Sequence, residues 1–390
     1  MKPKIIRITT VALSLDYLLK GQLAFLNTGF EVVAVSGKDS HLKNVALREG
    51  VRVVNISMQR AISPIKDLIS LWKLYHLFRK EKPQIVHSIT PKAGLLSMIA
   101  ARFSGIPIRI HTFTGLIFPS KTGIMQKILI GTDRLLCTCA THVYPEGEGV
   151  KKDLINYKIT NKPLKILANG NVNGIDTSFF SPSNFSESEN VKLKKQLGVN
   201  KNDFVFIFVG RLVSDKGINE LVTAFDKLCN TKFKNKTPKL LLVGPFESDL
   251  DPLHSNSLTT IQQNPNIISV GLQQDVRPYF TISDVLIFPS YREGFPNVVI
   301  QAGSMSLPSI VTNINGCNEI IIAGENGWII PVKDEVAILN ALKNCLANAQ
   351  ELNNLSKNAR NLIVSRYEQK VVWEALLKEY QLLAYEFENK

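Results

Sequence analysis

The residues best suited to chemistry lie in two short clusters in the second half of the chain. An apolar run at 204–209 leads into Gly210-Arg211-Leu212-Val213-Ser214-Asp215-Lys216-Gly217, after which helical periodicity begins. A strand feeding a glycine-flanked turn and then a helix is a phosphate-binding layout, because a helix start offers free N–H groups and a partial positive charge. Arg211 can grip two phosphate oxygens with its planar fork, and Lys216 adds a point charge. Taken alone, this cluster reads equally well as a strand-end turn with two solvated cations. The second cluster shifts that balance. An apolar run at 285–288 ends in Pro289-Ser290-Tyr291-Arg292-Glu293-Gly294-Phe295-Pro296-Asn297. Gly294 lets backbone approach a ligand closely, and Pro296 suits a first helical turn, where its missing N–H costs nothing. Glu293 stands just ahead of that helix, so its carboxylate either accepts hydroxyl groups such as those of a sugar or serves as a capping charge.

These side chains need a framework, and the hydrophobic pattern supplies one. Runs at 4–8, 31–35, 52–56, 84–87 and 109–112 read as buried strands. Helical periodicity lies between them at 16–28, 42–49, 64–80 and 92–103. Such alternation implies α/β architecture with a parallel sheet covered on both faces. A polar, turn-rich stretch at 181–189 is expected to be a linker. A second series follows, with strands at 204–209, 240–243, 267–270, 285–288, 309–311 and 328–330, and helices at 218–229, 276–281, 297–306, 318–323 and 335–347. A long helical stretch from 369 to about 386 closes the chain. The expectation is two doubly wound, Rossmann-like domains facing a central cleft, with ligand beyond the carboxyl ends of the strands. The boundaries are 1–182, completed by a helix at about 369–390, and 191–368.

Charge divides the chain unevenly. Residues 1–180 carry 25 Lys and Arg against 11 Asp and Glu, a balance of +14, while residues 181–390 carry 21 against 22, a balance of −1. The asymmetry points to an anionic partner for the first half. The basic residues are scattered and no nucleic-acid-binding motif is present, so an anionic membrane surface is expected rather than nucleic acid; a charge bias for solubility is the alternative. The segment 64–80 sets Ile65, Leu68, Ile69, Leu71, Trp72, Tyr75 and Phe78 among lysines, which suits either a membrane interface or a core-facing helix. No run of about 18 uncharged apolar residues exists. Residues 1–19 could pass for a signal peptide, but Arg7 and Asp16 interrupt them, so a first strand is the better reading. Five cysteines, an odd number without C-x-x-C spacing, argue against a disulfide framework or a zinc site. Asp249-Leu250-Asp251 has a metal-binding look, but two carboxylates alone make a poor magnesium site, and neither a metal nor a cofactor is expected.

The two clusters together resemble the donor-site motifs of family 4 retaining glycosyltransferases, proteins of the GT-B fold. The likeness runs through almost the whole chain. Thr9-Thr10-Val11-Ala12-Leu13-Ser14, Gly21-Gln22-Leu23 and His87-Ser88-Ile89-Thr90-Pro91-Lys92-Ala93-Gly94 resemble the capsular and exopolysaccharide branch of that family. Asn169-Gly170, Gly174-Ile175-Asp176, Phe180, Gly271, Asp275-Val276 and Gly316-Cys317-Asn318-Glu319 complete an ordered set.

The resemblance implies a metal-independent, retaining hexosyl- or N-acetylhexosaminyltransferase. It would move a sugar from a nucleotide-diphosphate donor, with uracil the expected base, to a polyprenyl-pyrophosphate-linked glycan in capsule, exopolysaccharide or O-antigen synthesis. It would work at the inner face of the cytoplasmic membrane. The first domain would bind acceptor and the second donor. Arg211 and Lys216 would hold the pyrophosphate and Glu293 the sugar, with Gly210, Gly294, Phe295, Pro296 and Asn297 around them. Gln301 stands where the family usually has a second Glu on the ribose; an amide still hydrogen-bonds a diol, less strongly than a carboxylate. On the acceptor side, Thr114-Gly115 replaces the family's His-Gly or acid-Gly; Lys92 at a helix start could bind the acceptor's phosphate or simply be an exposed lysine, and His111 could reach the cleft but reads more readily as a core histidine. The missing acid or base suits a front-face mechanism, in which the leaving phosphate takes the acceptor's proton. A sugar-nucleotide epimerase on the same fold would need acid/base residues across the cleft that cannot be assigned here. A non-catalytic membrane-bound protein would not need Arg211, Lys216 and Glu293 together.

Overall fold

The structure is a computed structural model that describes residues 2–59, 63–231, 236–247 and 251–389. The chain forms two compact units. One runs up to Gly174 and takes back the chain from Gln369 onward; the other is Ile175–Glu368.

In the first unit, β1 (Lys4–Ile8), β2 (Glu31–Ser36), β3 (Arg52–Asn55), β4 (Ile85–Ser88), β5 (Ile108–Phe113) and β6 (His142–Pro145) form a parallel sheet in the order β3-β2-β1-β4-β5-β6. In the second, β7 (Asp203–Val209), β8 (Thr237–Val243), β9 (Ile267–Gly271), β10 (Val285–Phe288), β11 (Ser309–Thr312) and β12 (Gly327–Ile330) repeat that order as β12-β11-β10-β7-β8-β9. The apolar runs explain this. Ile5, Ile6 and Ile8 on β1, and Phe204 to Phe208 on β7, are buried on both faces of their strands. Only a sheet with helices on both sides provides that burial. In both sheets the strand order reverses at one place, between β1 and β4 and between β7 and β10. The loops leaving those strands therefore diverge, and the gap between them is where α/β sheets bind ligands.

The structure departs from the sequence pattern in several elements, among them the helices Gly123–Cys139, Glu148–Asn156, Ser255–Gln263 and Ala349–Tyr367, which that pattern did not mark. The first sheet gains a sixth strand, β6, after the helix Gly123–Cys139; its sequence, His142-Val143-Tyr144-Pro145, is not an apolar run. The expected linker at 181–189 lies inside the second unit. There Ser186 and Glu189 make a reciprocal capping box that starts the helix Glu187–Gln196, so polar residues that looked like connecting chain are helix-start chemistry. The last helix, Gln369–Glu388, packs on the first unit, where Tyr144 donates to Glu379 at 2.7 Å, and the Tyr380 hydroxyl accepts from Arg7 and shares a hydrogen bond with His87. All five cysteines are free thiols.

Candidate active site

The two sequence clusters meet at the switch point of the second sheet. The chain leaves β7 at Gly210, with φ 150°, passes Arg211, and makes a tight 3-10 turn at Ser214–Lys216. It then reverses through Gly217, φ 69°, into the helix Ile218–Cys229. A side chain at Gly217 would clash: its Cβ would stand 2.2 Å from the carbonyl oxygen of Pro289. That contact brings the loop after β7 onto the loop after β10, where the Tyr291 amide donates to Asp215 O at 2.9 Å. A third loop closes in from β11. Gly316, φ 73°, lies so near 294–296 that a Cβ there would be 2.5 Å from Gly294 O. On the other side, Gly244 backs Gly210 at a distance no side chain allows.

This interlocking places the charged groups. Lys216 Nζ donates to Glu293 Oε1, and both side chains keep only a small exposed fraction. Ser290, fully buried, donates its hydroxyl to the same carboxylate oxygen at 2.9 Å, and Thr312 Oγ1 donates to the Ser290 carbonyl. Glu293 is thus held by two donors through one carboxylate oxygen. Arg211, half exposed, pairs with Glu247 at 2.7 Å, and that hydrogen bond raises its already high pKa. Arg292 pairs with Asp215 at 3.0 Å. Gly294, Phe295 and Pro296 lead into the helix Asn297–Ser304; Pro296 is its N-cap rather than its first turn, and no side chain caps it. Gln301 lies half-buried one turn further, on the face that Asn297 begins. A cation pair, a fixed carboxylate and a helix start can together hold a diphosphate and a polyol.

Sequence reasoning missed three supporting groups. Ser290 had a signal, its place three residues before Glu293. Glu247 and Asp215 had none, because their roles depend on loops distant in sequence. Of the metal-like triplet, Asp249 and Leu250 lie outside the described residues; Asp251 accepts the Asp215 amide at 2.6 Å.

Of the acceptor-side candidates, Lys92 and Gly115 line one cavity of the first unit. Lys92, at the start of the helix Pro91–Phe103, pairs with Asp67. Thr114 donates to Ile89 O at 3.0 Å, and Gly115 has φ 108°. His111 is a core residue: it is buried, shares a 2.8 Å hydrogen bond with Ser88, and packs against Gly94, where any Cβ would touch its ring. Burial pushes its pKa down to about 3, so it is neutral at ordinary pH and does not reach the surface. His87 is likewise buried, and burial, then Arg7, holds its pKa well below the usual range.

Comparison with known proteins decides the family. Residues 190–362 match the family model described as glycosyl transferases group 1, and residues 10–143 match glycosyl transferase 4-like. The capsular polysaccharide biosynthesis glycosyltransferase CapM of Staphylococcus aureus is 32% identical over 99% of both chains. The chain belongs to this glycosyltransferase family. The glycosyltransferase is also 32% identical to an Escherichia coli relative named UDP-Gal:alpha-D-GlcNAc-diphosphoundecaprenol alpha-1,3-galactosyltransferase, across 79% of this chain and 78% of that one. Its fold is that of solved GT-B structures. A Rickettsia africae glycosyltransferase superposes with a TM-score of 0.79 at 20% identity, covering 98% of each chain. Anabaena HepE in complex with UDP gives 0.78 at 16% identity, covering 98% of this chain and 100% of that one. The glycosyltransferase matches relatives in capsular and lipid-linked glycan synthesis. No helix among its described residues is long and apolar enough to cross a membrane.

Proposed function

We propose that this glycosyltransferase moves a sugar from a UDP-sugar to a prenyl-diphosphate-linked glycan, with retention at the anomeric carbon and without a metal. The observation that carries the reading is the fixed group of Lys216, Glu293 and Arg211 at the switch point of the second sheet. In this reading Arg211 exchanges Glu247, an exposed and weakly held partner, for the donor diphosphate. Lys216 bridges phosphate and Glu293. The free oxygen of Glu293 accepts sugar hydroxyls, backbone N–H groups at 294–297 face the diphosphate, and Gln301 binds the ribose. UDP is favoured as the nucleotide by the HepE complex and by the donor in the E. coli relative's name. A prenyl-diphosphate acceptor is favoured by that same name and by a Campylobacter jejuni relative, 22% identical over 90% of this chain, whose name likewise carries a diphospho-undecaprenol.

As the glycosidic bond breaks, negative charge builds on the leaving diphosphate. Arg211, Lys216 and the helix start at Asn297 stabilise it there. The diphosphate oxygen, not a side chain, takes the acceptor's proton. That accounts for Thr114 standing where relatives carry a His or an acid, and for the burial of His111. The first unit binds the acceptor, at an anionic membrane surface on the cytoplasmic face. Ile65, Leu68, Ile69 and Trp72 are exposed on the helix Pro64–Glu81 beside Lys66 and Lys73, the composition of an interfacial helix.

The test is nucleotide release from a panel of nucleotide sugars with a membrane lipid extract, alongside thermal melts with UDP. Arg211→Ala is expected to lower kcat/KM by roughly 10²–10³-fold and to abolish the UDP-induced rise in melting temperature. If no nucleoside diphosphate protects the protein, the donor assignment fails.

A further inference from the structure

The first unit contains a cavity of about 210 Å³ that the donor chemistry leaves unused. Leu95 of the helix Pro91–Phe103, Leu116 in the loop after β5, and Ile128 and Leu129 of the helix Gly123–Cys139 give it an apolar wall. It opens where β4 and β5 end, since Pro91 and Gly115 are part of its rim. That is the carboxyl edge of the sheet, the edge at which α/β folds bind ligands.

The lining selects the ligand. A saccharide carries a hydroxyl on nearly every carbon, and most of those groups would lie unbonded against leucine and isoleucine, at a cost for each. A hydrocarbon chain loses no hydrogen bond there and removes apolar wall from water. The wall continues outward: Ile117 and Ile128 line the cavity yet remain 44% and 45% exposed. Asp67, on the opposite rim, belongs to the helix that exposes Ile65, Leu68, Ile69 and Trp72. Asp133 also faces the cavity, and burial raises its carboxyl to about 7, so it loses its charge as the pH falls through neutrality. One cation stands at the rim. Lys92 lies in the first turn of a 13-residue helix, where an anion is favoured, and its present partner is Asp67.

We propose that this cavity seats the first carbons of a prenyl chain, with the attached diphosphate at Lys92 in place of Asp67. The proposal rests on the reading of the acceptor as a prenyl-diphosphate-linked glycan and specifies where the lipid end is held. An apolar cavity of roughly 150 Å³ holds a six-carbon ring, so this one takes on the order of eight to ten carbons, the first two five-carbon units.

The test uses the full chain and commercially simple probes: farnesyl diphosphate, dodecyl phosphate and inorganic diphosphate, titrated calorimetrically with UDP titrated in parallel. Farnesyl diphosphate is expected to bind at least 10-fold more tightly than inorganic diphosphate and more tightly than dodecyl phosphate. Leu129→Trp or Leu95→Trp, which fill the cavity, remove that preference without changing UDP affinity. Lys92→Ala weakens both diphosphates and leaves dodecyl phosphate unaffected. Equal affinity for farnesyl and inorganic diphosphate in the unaltered protein overturns the proposal, whatever the folding of the variants. So does an undiminished preference in a folded tryptophan variant. Equal binding of dodecyl phosphate and farnesyl diphosphate reduces the cavity to a general hydrophobic surface and also overturns it. UDP binding without farnesyl diphosphate binding refutes the cavity assignment alone; loss of both refutes the transferase reading as well.

Discussion

Two residues show how far one side chain can be argued. Gln301 presents an amide where a carboxylate is usual in relatives, and a charged acceptor makes a hydrogen bond about twice as strong as a neutral one. Gln301→Glu is therefore expected to tighten UDP binding by roughly fivefold, read by calorimetry; unchanged or weaker binding would mean that Gln301 does not meet the ribose. Asp133 is a stability question. Its folded pKa, about 7, lies above its ordinary value of 3.8 because burial disfavours the charged form. The folded state thus holds a proton that the unfolded state has released, and stability falls as pH rises from about 4 to 7. Above pH 7 the full cost is present, and below pH 4 none is. Asp133→Asn should stabilise the first unit by on the order of 2–4 kcal/mol at pH 8, with the gain vanishing by pH 4 in denaturant titrations.

At the level of elements, the candidate site is held by backbone contact between loops more than by side chains. Gly217 has a left-handed φ of 69°, and its missing Cβ leaves room for the Pro289 carbonyl. Gly217→Ala meets both penalties, backbone strain and an overlap that backbone cannot relieve. It should cost about 3 kcal/mol and also displace Lys216 from Glu293. The measurement is chemical denaturation together with UDP affinity. A variant that lost stability yet bound UDP normally would separate loop packing from site geometry. Alanine at Gly50, where nothing lies within 4 Å, is the matched control for strain without overlap.

At the scale of the molecule, the two units have different charge and separate cores. Thermal unfolding need not be a single transition, and each variant should be assigned to its unit. The +14 balance of residues 1–180 implies that the proposed membrane attachment is electrostatic as well as apolar. Binding to vesicles of anionic phospholipid is expected to fall at least 10-fold between 0.1 and 0.5 M salt, as the screening length shortens. Trp72→Glu should weaken it further without altering UDP binding, since Trp72 is exposed and far in sequence from the donor loops. Salt-independent sedimentation with vesicles would remove charge from the account.

Much of this was determined by sequence alone. Apolar runs such as 32–35 and 204–208 must be buried on both faces, so a parallel sheet under two helical layers follows from them. The Gly210–Gly217 and 289–297 stretches announce phosphate and hydroxyl chemistry by residue type, and their order along the chain marks the family. Polar elements were not legible: β6, His142-Val143-Tyr144-Pro145, is not an apolar run, and the capping box at Ser186 reads as linker until its hydrogen bonds close. Only the tertiary structure decided which residues meet. It joined Lys216 to Glu293 across 77 positions, because Gly217 lets the loop after β7 touch the Pro289 carbonyl of the loop after β10. It buried His111 in the core, and it opened beside Lys92 an apolar cavity whose walls come from separate segments. Periodicity records which side chains leave water; where they go is set by contacts distant along the chain.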